Sequence, residues 1–124
     1  MANLESALKE AMSIDGAIGV ALVDYGSGMA LGSLGDGAEI DLNVAAAGNT
    51  DLVRAKMRTM EMLGLHDNDI EDILISLTGQ YHLIRPLTTQ SGRGLFLYLA
   101  LNRSRSNLAM ARHQLRRIET GLEI

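Results

Sequence analysis

Cysteine is absent from the 124-residue chain, which removes a disulfide framework, a thiolate metal site and a cysteine nucleophile together. Tryptophan is absent too, and a single Phe leaves the core to aliphatic side chains. That scarcity, with a net charge of −4, speaks against nucleic acid as a partner, because single strands are held by aromatic stacking in a basic groove. Only one proline interrupts helix or strand. The longest apolar run, "LFLYLAL", is far short of the ~20 residues of a membrane span. "MANLESALKE" lacks the basic start and apolar run of a signal peptide, so a cytoplasmic protein is expected. At this length, with 47% apolar residues, the expectation is one domain over residues 1–124 around one core.

Signatures of catalysis are also missing. No Ser lies in G-x-S-x-G and no G-x-x-x-x-G-K-[ST] occurs. His66, His82 and His113 fall in three separate segments with no metal-ligand spacing. "DNDIED" (67–72) resembles part of a calcium loop, but Asp72 stands where that loop needs glycine, so its acids read as turn and cap residues. No catalytic, cofactor-binding or metal-binding residue is assigned. "VDYGSGMALG" (23–32) has the glycines of a phosphate cradle, yet its spacing is G-x-G-x-x-x-G and no helix follows. Its glycines suit an antiparallel hairpin turn instead.

What is present is a clear run of elements. Leu4, Ala7, Leu8, Ala11 and Met12 follow helical spacing behind Asn3 as N-cap, and Gly16 ends the segment. "AIGVALVD" reads as a central strand, apolar on both faces, with Ile18, Val20 and Leu22 on one side and Ala17, Gly19 and Ala21 on the other. "MALGSL" completes the hairpin. Helical spacing returns from Glu39 to Leu63, with Leu42, Ala46, Asn49, Val53, Met57 and Met60 on one stripe and Gly64 as the stop. A break at "GNTD" is the alternative to one continuous helix. Three strands follow, "EDILISLT", "QYHLIRPL" with Pro86 near a strand end, and "LFLYLALN". A last helix buries Leu108, Ala111, Leu115, Ile118 and Leu122 behind Ser104 or Ser106 as cap, with Arg112, Arg116 and Arg117 on or near its exposed side. This order implies an α+β fold with an antiparallel sheet.

Charge is divided along the chain. Residues 1–80 hold 13 acids and 4 bases, whereas residues 81–124 hold 2 acids and 7 arginines. Either complementary elements pack together or a polarised surface awaits a charged partner, and Arg112 and Arg116 are the candidate contacts for the second case. Arg93, in the glycine-flanked "SGRG", is a solvated loop charge or a residue that reaches a partner's phosphate.

The segments "GAIGVALVDYGSGMALG", "AAAGNTDLVRAKMRTMEMLGL", "EDILISLTGQYHLIRPL" and "GLFLYLALNRSRSNLAMARHQL" together resemble the roadblock/dynein light chain domain family over nearly the whole chain. The resemblance implies a profilin-like sandwich with a five-stranded antiparallel sheet in the order 2-1-5-4-3. The long helix would lie on one face and the first and last helices on the other. It implies a homodimer in which the long helices pair antiparallel and the third strands meet edge to edge. The residues carried over to that interface are Leu42, Ala46, Asn49, Val53, Met57, Met60, Ile73 and Ile75. It further implies a non-catalytic regulator of a small Ras-like GTPase, in some relatives beside a sensor-kinase-like protein, or else a structural adaptor that leaves GTP turnover unchanged.

Overall fold

Residues 3–35 and 39–123 are described by the structure, a computed structural model. The chain forms α1 (Leu4–Met12), β1 (Ala17–Asp24), β2 (Met29–Gly35), α2 (Leu42–Met62), β3 (Ile73–Ser76), β4 (Gln80–Pro86), β5 (Leu95–Asn102) and α3 (Leu108–Gly121). Short 3-10 turns at Gln90–Gly92 and Arg103–Arg105 flank β5. No described helix is long and apolar enough to cross a membrane.

Each helix begins where a side-chain oxygen takes up amides that the first turn leaves free. Asn3 accepts from Ser6 N at 2.9 Å, Asp41 from Asn43 N at 3.0 Å and Val44 N at 3.2 Å, and Asn107 from Met110 N at 3.0 Å. The cap of α3 is therefore Asn107, not Ser104 or Ser106. The two serines belong to the 3-10 turn and its exit, and Asn102 caps that turn. Gly16 and Gly64 follow α1 and α2 at φ +83° and +74°, the left-handed backbone that stops a helix. α2 runs unbroken through "GNTD", and the buried Thr50 hydroxyl donates back to Ala46 O at 2.7 Å.

The five strands form one antiparallel sheet in the order β2-β1-β5-β4-β3. The doubly apolar strands β1 and β5 are central, as their composition predicts. One face carries Val20, Leu22, Leu83, Leu97, Leu99 and Leu101 against α1 and α3. The opposite face carries Ala21, Val23, Ile84, Phe96, Tyr98 and Ala100, with Ala46 and Val53 of α2. Ile18 does not follow Val20 and Leu22. A register shift in the β1–β5 pairing between Ala17 and Gly19 sends it to the α2 face, while Ala17 packs on the other. α2 comes close here, since a Cβ on Gly19 would stand 3.1 Å from Leu42 Cδ2.

The glycines of "YGSG" serve the β1–β2 hairpin. Gly28 has φ +80° and donates its amide to Asp24 O at 2.7 Å, and the Asp24 carboxylate accepts from Gly26 N at 2.8 Å. Arg54 of α2 holds the turn from above through Tyr25 O and Gly26 O.

α3 is tied to the sheet by a buried ion pair that spacing alone does not reveal. Glu119, 4% exposed, accepts from Arg85 Nε at 2.5 Å and from Thr88 N and Oγ1 at 2.9 and 3.3 Å. Arg85 also donates to Glu71 O at 3.0 Å, so one guanidinium joins β4, α3 and the approach to β3.

Two substitutions test these local accounts. Gly28→Ala finds room for its Cβ, the nearest atoms being those of Thr50 at 3.8–3.9 Å, but is strained in backbone. It lowers stability by about 1–2 kcal/mol in denaturant titration, the cost of left-handed φ for a residue with a Cβ. Glu119→Ala strands the Arg85 charge and costs about 3–5 kcal/mol in the same measurement.

Candidate interaction surface

A five-stranded sheet is wider than one helix. Strands lie about 4.8 Å apart and a helix with its side chains is about 10 Å across, so a single helix shades about two strands. On the first face α1 and α3 share the task. On the second α2 is alone, and it lies over β1 and β2. β5 is still covered, with Tyr98 at 1% exposure, as is Ile84 of β4 at 0%, but the outer strip of this face is not, and there Ile73, Ile75 and His82 are half-buried.

A groove of about 380 Å³ follows the exposed flank of α2 at this step. Ala45, Gly48 and Asn49 form one wall, Gln80, His82 and Tyr98 the floor, and Glu39 and Asp41 the rim at the start of the helix. His82 is fixed at both ring nitrogens. Nε2 lies 2.8 Å from Gln80 Oε1 and Nδ1 lies 3.3 Å from Tyr98 OH, and the two rings meet edge to face with centroids 5.4 Å apart. A neutral imidazole with its proton on Nε2 satisfies both bonds, donating to Gln80 and accepting from Tyr98. Burial holds the His82 pKa below its ordinary 6.5 and pushes Tyr98 up to about 12.

The residues expected at a helix-to-helix contact divide. Ala46 and Val53 are 1% and 0% exposed beneath their own helix, and Leu42 and Met57 pack into the same core. Ala46 and Val53 are thus occupied in holding α2 to its own sheet, and Leu42 and Met57 are half-buried beside them. Apolar periodicity selects this stripe because the sheet is the most apolar surface that the helix meets. Asn49 and Met60 lie half-buried on its flank. The flank facing the uncovered strands is Ala45, Gly48, Asn49, Leu52, Lys56, Thr59 and Leu63, mostly small or polar. A Cβ on Gly48 would meet nothing within 4 Å, and Leu52 and Leu63 are 37% and 65% exposed. Ile73 and Ile75 lie on β3, which pairs with β4 on one side and forms a sheet edge on the other.

The three arginines singled out by charge are not brought together. Arg112 is engaged within the chain, its Nε and Nη2 donating to the Asp72 carboxylate at 2.9 and 3.1 Å. In that instance the divided charge serves packing. Arg116 is exposed on α3, across the sheet from the groove. Arg93 lines a different groove, of about 360 Å³, with Tyr25, Met57, His66 and Asp69. Among the described residues no cluster of three or more acidic or histidine side chains could hold a metal.

Comparison with known proteins finds no matching family model and no matching curated protein. Solved structures do match. A Roadblock/LC7 domain from Streptomyces avermitilis superposes with a TM-score of 0.74 at 13% identity, over 96% of this chain and 93% of that one. Its likeness decides the architecture. The chain has the roadblock fold. MglB of Myxococcus xanthus is similar with a TM-score of 0.73 at 17% identity, covering 93% of this chain and 84% of that one. The gliding protein MglB of Thermus thermophilus gives 0.66 at 16%, with 94% and 87% covered. In roadblock terms, the groove lies between the long helix and the half of the sheet that this helix leaves open.

The division of α2 into a sheet-facing and an open flank yields opposed outcomes for one substitution. Ala46→Glu drives a carboxylate into the core and costs several kcal/mol of stability. Leu52→Glu, on the open flank, retains the far-ultraviolet circular dichroism spectrum of the unmodified protein and a cooperative thermal transition.

Proposed function

We propose that this chain is a non-catalytic, cytoplasmic homodimer that regulates a small Ras-like GTPase. The observation that carries the reading is the half-covered sheet. Ile73, Ile75 and His82 are only half-buried at the margin of the core beneath α2, and α2 turns a flank of small residues toward this strip. A second copy placed by a twofold axis would lay its own α2 over this strip, against Ala45, Gly48 and Leu52 of the first. The edge of β3 would then meet its equivalent, and each contact would occur twice.

The resemblance to the roadblock family supports the GTPase as partner, and the similarity of the fold to two MglB structures is consistent with it. A dimer of this kind has no catalytic residues to offer. Its effect on GTP turnover comes from positioning the GTPase's own groups.

Light scattering at tens of micromolar gives the mass of a dimer for the unmodified protein and of a monomer for Leu52→Glu, and a monomeric unmodified protein defeats the reading. GTP hydrolysis by the Ras-like GTPases of the same genome, measured with and without the dimer, identifies the partner as the one whose turnover changes. Binding without any change in turnover makes the protein an adaptor instead.

A further inference from the structure

We propose that His82 makes self-association of this protein pH-dependent, with acid releasing the two copies. The inference rests on the dimer reading above and adds a control to the same surface. His82 stands on the floor of the groove that a second copy would close, and both its nitrogens are already committed.

The sign follows from those two bonds. Neutral His82 donates from Nε2 to Gln80 Oε1 and accepts at Nδ1 from the Tyr98 hydroxyl. Protonation places a second N–H at Nδ1, against a hydroxyl that must turn its own proton away and find another acceptor. The charge also loses water when the groove is covered. Burial in the single protomer already holds the His82 pKa below 6.5, and closure of the groove lowers it further. The dimer therefore binds fewer protons than two free protomers, and association weakens as pH falls through the free protomer's pKa, below 6.5.

The groups around His82 do not offset this. β5 presents Tyr98, whose pKa near 12 keeps it neutral, and β3 presents Ile75 opposite His82. α2 presents Asn49, Gly48 and Ala45. Among the described residues the acids lining the groove are Glu39 and Asp41, whose charge favours protonated His82, but both stand at the rim exposed to solvent, where water and salt screen them. A second copy would bring Lys56, the charged side chain on the open flank of its α2, whose sign also opposes protonation of His82.

The dimer dissociation constant of the unmodified protein, measured by analytical ultracentrifugation from pH 7.5 to 5.0, is expected to rise below pH 6.5 by up to about tenfold per pH unit for each His82, so by up to about a hundredfold for the pair. His82→Gln keeps a neutral hydrogen-bonding side chain and retains a dimer whose dissociation constant varies less than threefold over that range. The histidine proton resonances of the Leu52→Glu monomer and of the unmodified dimer supply a second measurement, in which His82 titrates at lower pH in the dimer. A dimer at pH 7.5 with a pH-independent dissociation constant, or with the same pH dependence in His82→Gln, overturns the inference and leaves the dimer intact. A monomer at pH 7.5 overturns both.

Discussion

The width of the sheet relative to a helix sets the terms for everything else in this molecule. Five strands need roughly two helices on each face to exclude water. The described residues supply three, with α1 and α3 on one side and α2 on the other. The first face is consequently complete. The second has a finished half beneath α2, where Val23, Ala46 and Val53 are fully packed, and an unfinished half where β3 and β4 carry half-buried Ile73, Ile75 and His82. The groove and the environment of the histidine both follow from that deficit, and the proposed dimer would make it good.

Much of the architecture was legible because it depends on local chemistry. Asn3, Gly16, Gly28, Gly64 and Pro86 each act through their own backbone or through neighbours a few residues away, and each stands where such residues are needed. The central places of β1 and β5 were legible from their apolar character on both faces, whereas the full strand order came from the family resemblance. Ile18 departed from the alternation because a register shift leaves no trace in composition. Asn107 displaced the two serines as cap because the 3-10 turn at Arg103–Arg105 delays α3, and both kinds of residue can cap.

The candidate surface was less legible, for a physical reason. A helix buried along one stripe announces that stripe by its apolar spacing, as Ala46 and Val53 do. A flank left for another molecule is mixed, and Ala45, Gly48, Asn49 and Lys56 carry no such signal. The ion pairs were beyond spacing altogether, since Arg85 meets Glu119 across 34 residues and Arg112 meets Asp72 across 40. Only the second pair joins the basic C-terminal part to the acidic part, since Arg85 and Glu119 both lie beyond residue 80. Part of the charge division is thus internal, and the exposed Arg116 and Arg117 remain for solvent or a partner.

The far edge of the sheet has its own consequence. β2 carries no charged residue and exposes Met29 and Leu31, the composition of an edge open to unwanted pairing. Its register against β1 slips between Leu22 and Val23, opposite Gly32 and Ala30, leaving Leu31 over. A strand laid along β2 would match it for only a few residues before falling out of step. If copies join at β3, both ends of the resulting ribbon are β2, and this single supernumerary residue would oppose growth from a pair into a fibre.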